Sequence, residues 1–230
     1  MQADELLALF QRGLIPGPHE SEEAFLQRVQ SRPPLASAEW NEVAVPLLKQ
    51  YGFAMDWVPI LYSSKKLLPW EGAVFWIQED QKPCIQIRPA LQTKSLWGNS
   101  RQDILRHEAI HAAREAFQEP QFEEFLAYTT SSVRWKQWLG PLFTRPWEFP
   151  LLALAVFALP LWSILSLLIL TLLGGWFFYR CYLFHRVKKI LPLPILLCLT
   201  DQEIRKQTIF SQNHSLRFQL IQALQRNFNK

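Results

Sequence analysis

The longest uncharged stretch of the chain runs from Phe149 to Tyr179 and contains no Asp, Glu, Lys or Arg. A helix that crosses a bilayer needs about 20 apolar residues, and a buried core helix much longer than that would be improbable. The stretch therefore predicts a transmembrane segment over residues 147–186. The 10 tryptophans and the hydrophobic fraction of 49% also suit a protein that contacts lipid.

This segment can cross the bilayer once or twice. A turn near residues 160–166, or at Gly174 and Gly175, would give two short helices, whereas one tilted helix followed by interfacial residues 176–179 is the alternative. Basic residues on both sides favour a helical hairpin with both ends in the cytoplasm. These flanking residues are Arg134, Lys136 and Arg145 before the segment, and Arg180, Arg186, Lys188 and Lys189 after it. We therefore expect an integral protein of the inner (cytoplasmic) membrane.

A second feature is the pattern H-E-x-x-H at residues 107–111. On a helix, His107 and His111 share one face, so both rings can reach one tetrahedral cation at about 2.0–2.1 Å. Glu108 would then lie beside the open position of the metal and could take a proton from a bound water, whose pKa zinc lowers from about 15.7 toward 7. The pattern predicts a zinc site with a general base next to it.

The surrounding residues predict the helix itself. Leu105, Ala109, Ala112 and Ala116 recur at helical spacing and form a small-residue face that can pack against a sheet. His107, His111 and Arg114 are predicted on the opposite face, and Arg106 and Arg114 are interpreted as surface charges. Asn99 or Ser100 is the predicted N-cap, and Pro120 is the predicted stop.

A second helix is predicted over residues 122–128, after a short turn at residues 118–121. So tight a turn returns the chain antiparallel to the first helix. A carboxylate one turn into the second helix could then become the third metal ligand. Glu123 and Glu124 are the candidates for this position, and the one that does not bind the metal is expected on a solvated face.

The pattern H-E-x-x-H followed by a helical glutamate resembles the gluzincin metallopeptidases. Their second helix often carries Glu-x-x-Ala-Asp, and residues 124–127 match its first four positions, whereas Tyr128 stands where Asp is usual. The resemblance implies that His107, His111 and Glu124 bind Zn²⁺ and that Glu108 is the general base. The usual Asp orients a ligand histidine, which tyrosine can do only as a hydrogen-bond partner. Tyr128 is thus either a catalytic group that stabilises an oxyanion or an amphipathic side chain at a seam.

Strands are predicted at residues 58–62, 73–77 and 84–88, the last two forming a hairpin. Residues 84–88 alternate apolar and polar, which is typical of a half-exposed edge strand; the resemblance further implies that this edge binds an extended substrate peptide. Helices are predicted before the strands at residues 3–12, 21–31 and 37–51, with a kink or an early end at Pro46. After the membrane segment, a capping box at Thr200 and a helix from Ser215 are predicted.

The expected fold class is α+β: a mainly helical zincin-like domain with a small β-hairpin or sheet, then a transmembrane helical hairpin and a helical C-terminal tail. The corresponding ranges are residues 1–35 for an N-terminal helical cap, 36–140 for the catalytic domain, 147–186 for the membrane segment and 190–230 for the tail. His185 and His214 are interpreted as interfacial or surface residues, although either could add to the metal site.

Charge and cysteine content restrict the partners. A formal net charge of +4, with no recognised nucleic-acid module, argues against nucleic-acid binding. The spacing of Cys84, Cys181 and Cys198 fits neither a disulfide framework nor a thiolate metal set. No cleavable signal peptide is visible at the acidic N-terminus. The sequence thus predicts a membrane-anchored zinc metallopeptidase that acts on peptides or proteins. The alternatives are a membrane-tethered scaffold with a structural or vestigial zinc site, and a metal-free assembly factor.

Overall fold

The computed structural model describes residues 1–78, 82–96, 98–144, 148–160, 163–209 and 215–228. The fold is mixed α+β and mainly helical, with a three-stranded sheet, which confirms the predicted class at that level. The helices are α1 Ala3–Gln11, α2 Glu22–Gln30, α3 Ala38–Tyr51, α4 Arg101–Ala113, α5 Pro120–Tyr128, α6 Arg134–Leu139, α7 Glu148–Phe157, α8 Ser163–Ile190, α9 Leu193–Leu197, α10 Asp201–Lys206 and α11 Leu216–Phe228. The strands are β1 Ile60–Tyr62, β2 Ala73–Ile77 and β3 Pro83–Ile87.

The three N-terminal helices match their predicted positions. Ser21 caps α2 and Ser37 caps α3, each by accepting a hydrogen bond from a backbone amide. The prediction that Pro46 ends α3 early is wrong, because α3 continues to Tyr51. Leu47 and Tyr51 follow the proline and are fully buried, so burial of this last turn stabilises the helix past the missing hydrogen bond.

The sheet corrects the prediction for residues 84–88. β3 lies in the centre, parallel to β1 and antiparallel to β2, and all five of its residues are buried. It is therefore not an edge strand, and the two edge strands of the sheet are β1 and β2. The polar Gln86 was the reason to expect one face of this strand in solvent. Its side-chain amide instead donates to the carbonyl oxygens of Ser63 and Lys65. A buried glutamine with these partners has the same sequence pattern as an exposed one.

One hydrophobic core includes side chains from both ends of the chain. It contains Phe10 of α1, Leu105 of α4, Leu196 of α9 and Leu220 of α11. The predicted capping box at Thr200 is confirmed, since the Glu203 amide donates to Thr200 Oγ at 3.1 Å. The helix predicted from Ser215 is confirmed as α11. The C-terminal tail thus packs in the same core as the helices that precede the sheet.

The uncharged stretch forms α7 and α8, which pack against each other. Among the described residues, α8 is the helix long and apolar enough to cross a membrane, although length and composition alone are weak support. A turn at Gly174 and Gly175 is wrong, because both residues lie inside α8. The one-crossing and two-crossing arrangements stay predictions. Arg145, Trp147 and His214 lie outside the described residues.

Candidate metal centre

Helix α4 holds the two histidines toward a cleft. Ser100 is its N-cap: Ser100 Oγ accepts from the Asp103 amide at 3.1 Å, and Asp103 Oδ2 accepts from Ser100 Oγ at 2.7 Å. The predicted small-residue face is confirmed, since Leu105, Ala109 and Ala112 are fully buried. Packing of this face fixes the rotation of α4 about its axis and turns His107 and His111 away from the core.

The chain turns earlier than Pro120. Helix α4 ends at Ala113, and Pro120 is the first residue of α5 rather than the stop of α4. The first position of a helix tolerates proline because its amide would have no partner inside the helix. Gln118, in the connection, has a left-handed backbone with φ of 53°. The predicted return of the chain toward the two histidines is confirmed, because α5 packs against α4.

The side chains of His107, His111 and Glu124 come together at this point. The two Nε2 atoms lie 3.2 Å apart, Glu124 Oε2 lies 3.4 Å from His107 Nε2, and Glu124 Oε1 lies 3.5 Å from His111 Nε2. Ligand atoms at 2.0–2.1 Å around a tetrahedral zinc ion are about 3.3 Å apart. The two Nε2 atoms are close to this spacing, while the two distances to Glu124 involve its two different oxygens. One ligand atom from each side chain lies within 4.8 Å of the others, so among the described residues these three form the group that could hold a metal ion.

Glu123 is not on a solvated face, which corrects the expectation for the second glutamate. Its Oε1 lies 2.6 Å from Nδ1 of His111, so the carboxylate accepts a hydrogen bond from that ring nitrogen. This contact directs the Nε2 lone pair of His111 toward the other two ligand atoms. Glu123 therefore occupies the place beside a histidine that the resemblance implies for an Asp at position 128. The sequence signal for this contact was Tyr128. A tyrosine where the family has Asp means that a different carboxylate is needed to orient the histidine.

Arg114 is buried, with 1% of its surface exposed, so its interpretation as a surface charge is wrong. Its Nη1 donates to the carbonyl oxygens of Leu197 and Leu199 at 2.8 and 2.9 Å. Its Nε lies 3.7 Å from Glu123 Oε2. These acceptors come from the C-terminal tail, 83 and 85 residues later, so no local pattern shows them. Arg106 pairs with Asp103 at 2.6 Å and remains partly exposed.

Glu108 faces β2 from α4 and is 6% exposed. Burial raises the pKa of its carboxyl group, and the nearby His111 and His107 oppose this effect. The backbone amide of Phe75 also donates to Glu108 and favours the ionised form. A carboxylate whose pKa is raised by a dry site is better matched to accepting and returning a proton near neutral pH.

The charges around His111 favour a cation in the site. Burial lowers the pKa of His111, but the carboxylates of Glu124, Glu123 and Glu108 outweigh burial and raise it to about 10. The raised pKa favours the protonated form of His111 when no other cation is present. The three carboxylates also lie beside Arg114, whose Nε is 3.7 Å from Glu123 Oε2, so with His111 protonated they exceed the nearby cations by one charge, which a divalent metal would neutralise.

Tyr128 packs against His107. The two rings meet edge to face with centroids 4.6 Å apart, and the pKa of the phenol is raised, first by burial and then by the carboxylates of Glu124 and Glu108. Gly140 lies directly against the tyrosine ring, where a Cβ atom would overlap the ring atoms. Within the described parts of the chain, no hydrogen bond to the Tyr128 hydroxyl occurs. The hydroxyl is thus available to a group in the cleft.

The cleft has a volume of about 620 Å³ and extends from the histidines to the start of α7. Its far wall contains Trp70, Phe143 and Phe149, and the rings of Trp70 and Phe149 have centroids 5.0 Å apart. His185 is not part of it, because its ring stacks on Trp138 at 4.4 Å. The candidate site therefore lies outside the uncharged segment but reaches its base.

Comparisons of the chain with protein-family models, with curated proteins and with solved structures find no match. The functional argument therefore depends on the residues and geometry described above.

Proposed function

We propose that this protein is a membrane-anchored zinc metallopeptidase that hydrolyses peptide bonds in peptide or protein substrates. The observation that supports it most directly is the approach of two imidazole nitrogens, 3.2 Å apart, to one carboxylate, with Glu124 Oε2 3.4 Å from His107 Nε2 and Glu124 Oε1 3.5 Å from His111 Nε2. Two imidazoles and a carboxylate are a ligand set that zinc takes in catalytic sites. His107, His111 and Glu124 are the proposed ligands.

The open side of the site favours catalysis over a structural role. Structural zinc sites are usually closed by four protein ligands, whereas catalytic sites have three and keep a position for water or substrate. Here three ligands face a cleft of about 620 Å³. This difference favours the peptidase over a scaffold that keeps a zinc site only for folding.

The metal, when bound, supplies a Lewis acid that polarises a water molecule and the substrate carbonyl. Glu108 then accepts the proton of that water and returns it to the leaving amine. The amide of Phe75 holds the Glu108 carboxylate on the β2 side of the cleft. We assign the Tyr128 hydroxyl as a hydrogen-bond donor to the oxyanion that forms at the attacked carbonyl.

The free edge of β2 is the proposed substrate-binding strand, in place of residues 84–88. Gly72 and Gln78 form hydrogen bonds toward β3, so the alternating positions Ala73 and Phe75 direct their backbone groups toward the free edge. The Phe75 amide holds Glu108 there, which leaves the Phe75 carbonyl and the backbone groups of Ala73 for a peptide. Residues 70–75 also line the cleft. An extended peptide that pairs with this edge would place a backbone carbonyl near the metal ligands.

The membrane anchor in this proposal is formed by α7 and the first half of α8. The cytoplasmic orientation comes from the basic residues on both sides of the segment. The cleft would then lie next to the inner membrane surface, since Phe149 belongs both to the cleft wall and to α7. Substrates are accordingly expected near that surface.

A zinc and activity measurement on the full chain in detergent tests the proposal. We expect about one zinc per chain by elemental analysis, loss of zinc in His107→Ala, and cleavage of a mixed peptide library by the wild type. Glu108→Gln should keep zinc and lose cleavage, because it removes the base and leaves the ligands. Glu23→Gln, on an exposed position of α2, is the matched control and should keep both.

Two other results would contradict the peptidase. Zinc retained without cleavage by the wild type would favour the scaffold with a structural or vestigial site. Absence of zinc from correctly folded wild type, also after incubation with zinc salt, would favour the metal-free assembly factor. Equal cleavage by the wild type and Glu108→Gln would remove Glu108 as the base.

A further inference from the structure

The apolar parts of α7 and α8 protrude from the rest of the protein and have few contacts with it. On α8, residues 163–176 are mostly exposed, and Ser166 is the buried exception. On α7, residues 149–157 are partly or fully exposed except Ala155. We call these two ranges the arms. From Phe177 onward α8 packs on the protein, where Phe177 and Phe184 contact Phe125 of α5.

Both arms begin at the same place. Glu148, at the start of α7, accepts from the amide of Thr144 at 2.6 Å, and Thr144 Oγ1 accepts from Arg180 of α8 at 2.7 Å. Arg180 Nη1 also lies 3.9 Å from Glu148 Oε1. This polar cluster joins the bases of the two arms. Since both bases are held together, a segment that enters the bilayer at one must leave it at the other, on the same side.

The arms are too short to reach across a bilayer. At a rise of 1.5 Å per residue, the α7 arm is about 14 Å long and the α8 arm about 21 Å. The hydrocarbon core is about 30 Å thick, so one leaflet accounts for about 15 Å of it. The α7 arm thus matches the depth of one leaflet, the α8 arm is about 6 Å longer than one leaflet, and both fall short of two.

The ends of the two arms farthest from the rest of the protein, which we call the tip, are apolar. A turn that emerged on the opposite surface of the bilayer would need polar groups there. Phe157 and Ile164, near the tip, are 82% and 85% exposed. On the α8 arm the exposed apolar residues Ile164, Leu165, Leu167, Leu168 and Leu172 lie on the face opposite the buried Ser166, within an arc of about 160°. Leu154, Val156 and Phe157 are exposed on α7, which packs against α8, so the outer faces of both arms are apolar, as lipid around a helical pair requires. At the base, Trp176 and Tyr179 are half-exposed at the level expected for an interfacial aromatic belt.

We propose that α7 and α8 form a hairpin that enters one leaflet and ends near the bilayer midplane, so that no part of the described chain reaches the opposite surface. The hydrocarbon of that single leaflet covers the exposed surface of the arms. The inference rests on the membrane anchoring proposed above and is independent of the zinc chemistry.

Depth labelling tests the proposal on the full chain. Ser163→Cys places a thiol at the exposed tip, and Ser95→Cys is the matched control on the exposed surface before α4. The native cysteines are buried, so the wild type gives the background labelling. The protein is added to preformed sealed vesicles of phosphatidylcholine and phosphatidylglycerol, and labelled with a membrane-impermeant maleimide supplied outside or trapped in the lumen.

We expect loss of labelling at Ser163→Cys from both sides and full outside labelling at Ser95→Cys. A fluorophore attached at position 163 before insertion should be quenched most by lipids that carry the quencher deep in the acyl chain. Labelling of Ser163→Cys from the lumen would show that the hairpin crosses the bilayer. That result would overturn the one-leaflet depth and would still support a membrane anchor. Labelling from outside would overturn membrane insertion itself. Protection without lipid quenching would assign the arms to a second copy or another protein and also overturn the proposal.

Discussion

Two clusters of buried charge differ in how their charges are balanced. In the C-terminal tail, Arg217 donates to Glu203 at 2.7 and 3.1 Å, and both side chains are almost completely buried, with one positive charge for one negative. In the metal centre, three carboxylates surround two imidazoles and face a cleft. Burial of charge is common to both, so it does not identify a functional site. A charge imbalance beside an accessible cavity makes the metal centre the candidate for function.

The comparison predicts that the balanced pair affects only folding. Arg217→Met removes the cation that donates to the buried Glu203 carboxylate, and breaking a buried ion pair typically lowers the free energy of unfolding by about 3–5 kcal/mol. Chemical denaturation in detergent would measure this loss. Arg226→Met, at an exposed position of the same helix, is the control. An equal and small effect of the two substitutions would show that the pair does not stabilise the fold.

In the metal centre, the largest effect expected after that of Glu108→Gln, from a group that does not bind the metal, is that of Tyr128→Phe. Loss of one oxyanion donor typically lowers kcat by about 10²–10³, and the ring contact with His107 is kept. Zinc content should be unchanged, which separates this effect from loss of the ligands. Tyr182→Phe, an exposed tyrosine of α8, serves as the control. If Tyr128→Phe turned over substrate as fast as the wild type, the hydroxyl would have no catalytic role and Tyr128 would only pack against His107.

Glu123 should act on the metal through His111. Glu123→Gln keeps an oxygen that can accept from Nδ1 but removes the charge, and loss of such a partner typically weakens zinc binding about 10–100-fold. Competition with a chromophoric chelator would measure the affinity. Glu23→Gln should bind zinc as the wild type does. An affinity equal to that of the control would mean that the 2.6 Å contact does not tune the site.

The sequence predicted the parts of the site that depend on local spacing. His107, His111 and Glu108 follow from a helical period of 3.6, and Glu124 follows from a short turn into a second helix. These residues come together as expected, although their role in zinc chemistry stays a prediction. The helix ends were less predictable, since Pro120 suits the start of a helix as well as a stop.

The sequence could not show contacts made between distant parts of the chain. Arg114 appeared as a surface charge because its acceptors are carbonyl oxygens of Leu197 and Leu199. Residues 84–88 appeared as an edge strand because apolar and polar residues alternate there. Such alternation shows which side chains share a face, but it does not show the order of the strands in the sheet. Glu123 and Glu124 are adjacent in sequence, and only the position of α5 against α4 shows which carboxylate reaches which nitrogen of His111.

The smallest effect expected is the pH dependence of metal binding, and it tests the charge imbalance directly. In the empty site the neighbouring carboxylates raise the pKa of His111 to about 10, so zinc must displace a proton at neutral pH. Affinity should therefore increase about tenfold per pH unit between about pH 7 and 9, after correction for hydrolysis of the metal. Calorimetry in buffers of different ionisation enthalpy would count the released proton.

The same proton links pH to the stability of the metal-free protein. Because the folded pKa of His111 is above its ordinary value of 6.5, its contribution to stability is complete below that pH and is lost as pH rises toward about 10. Denaturation of the chelated protein at pH 7 and 9 should show this loss, and Glu123→Gln should reduce it by removing one source of the raised pKa. Two results together would contradict this: zinc binding that releases no proton, and a free energy of unfolding that is the same at pH 7 and 9. They would mean that His111 is neutral in the metal-free protein and that other groups balance the three carboxylates.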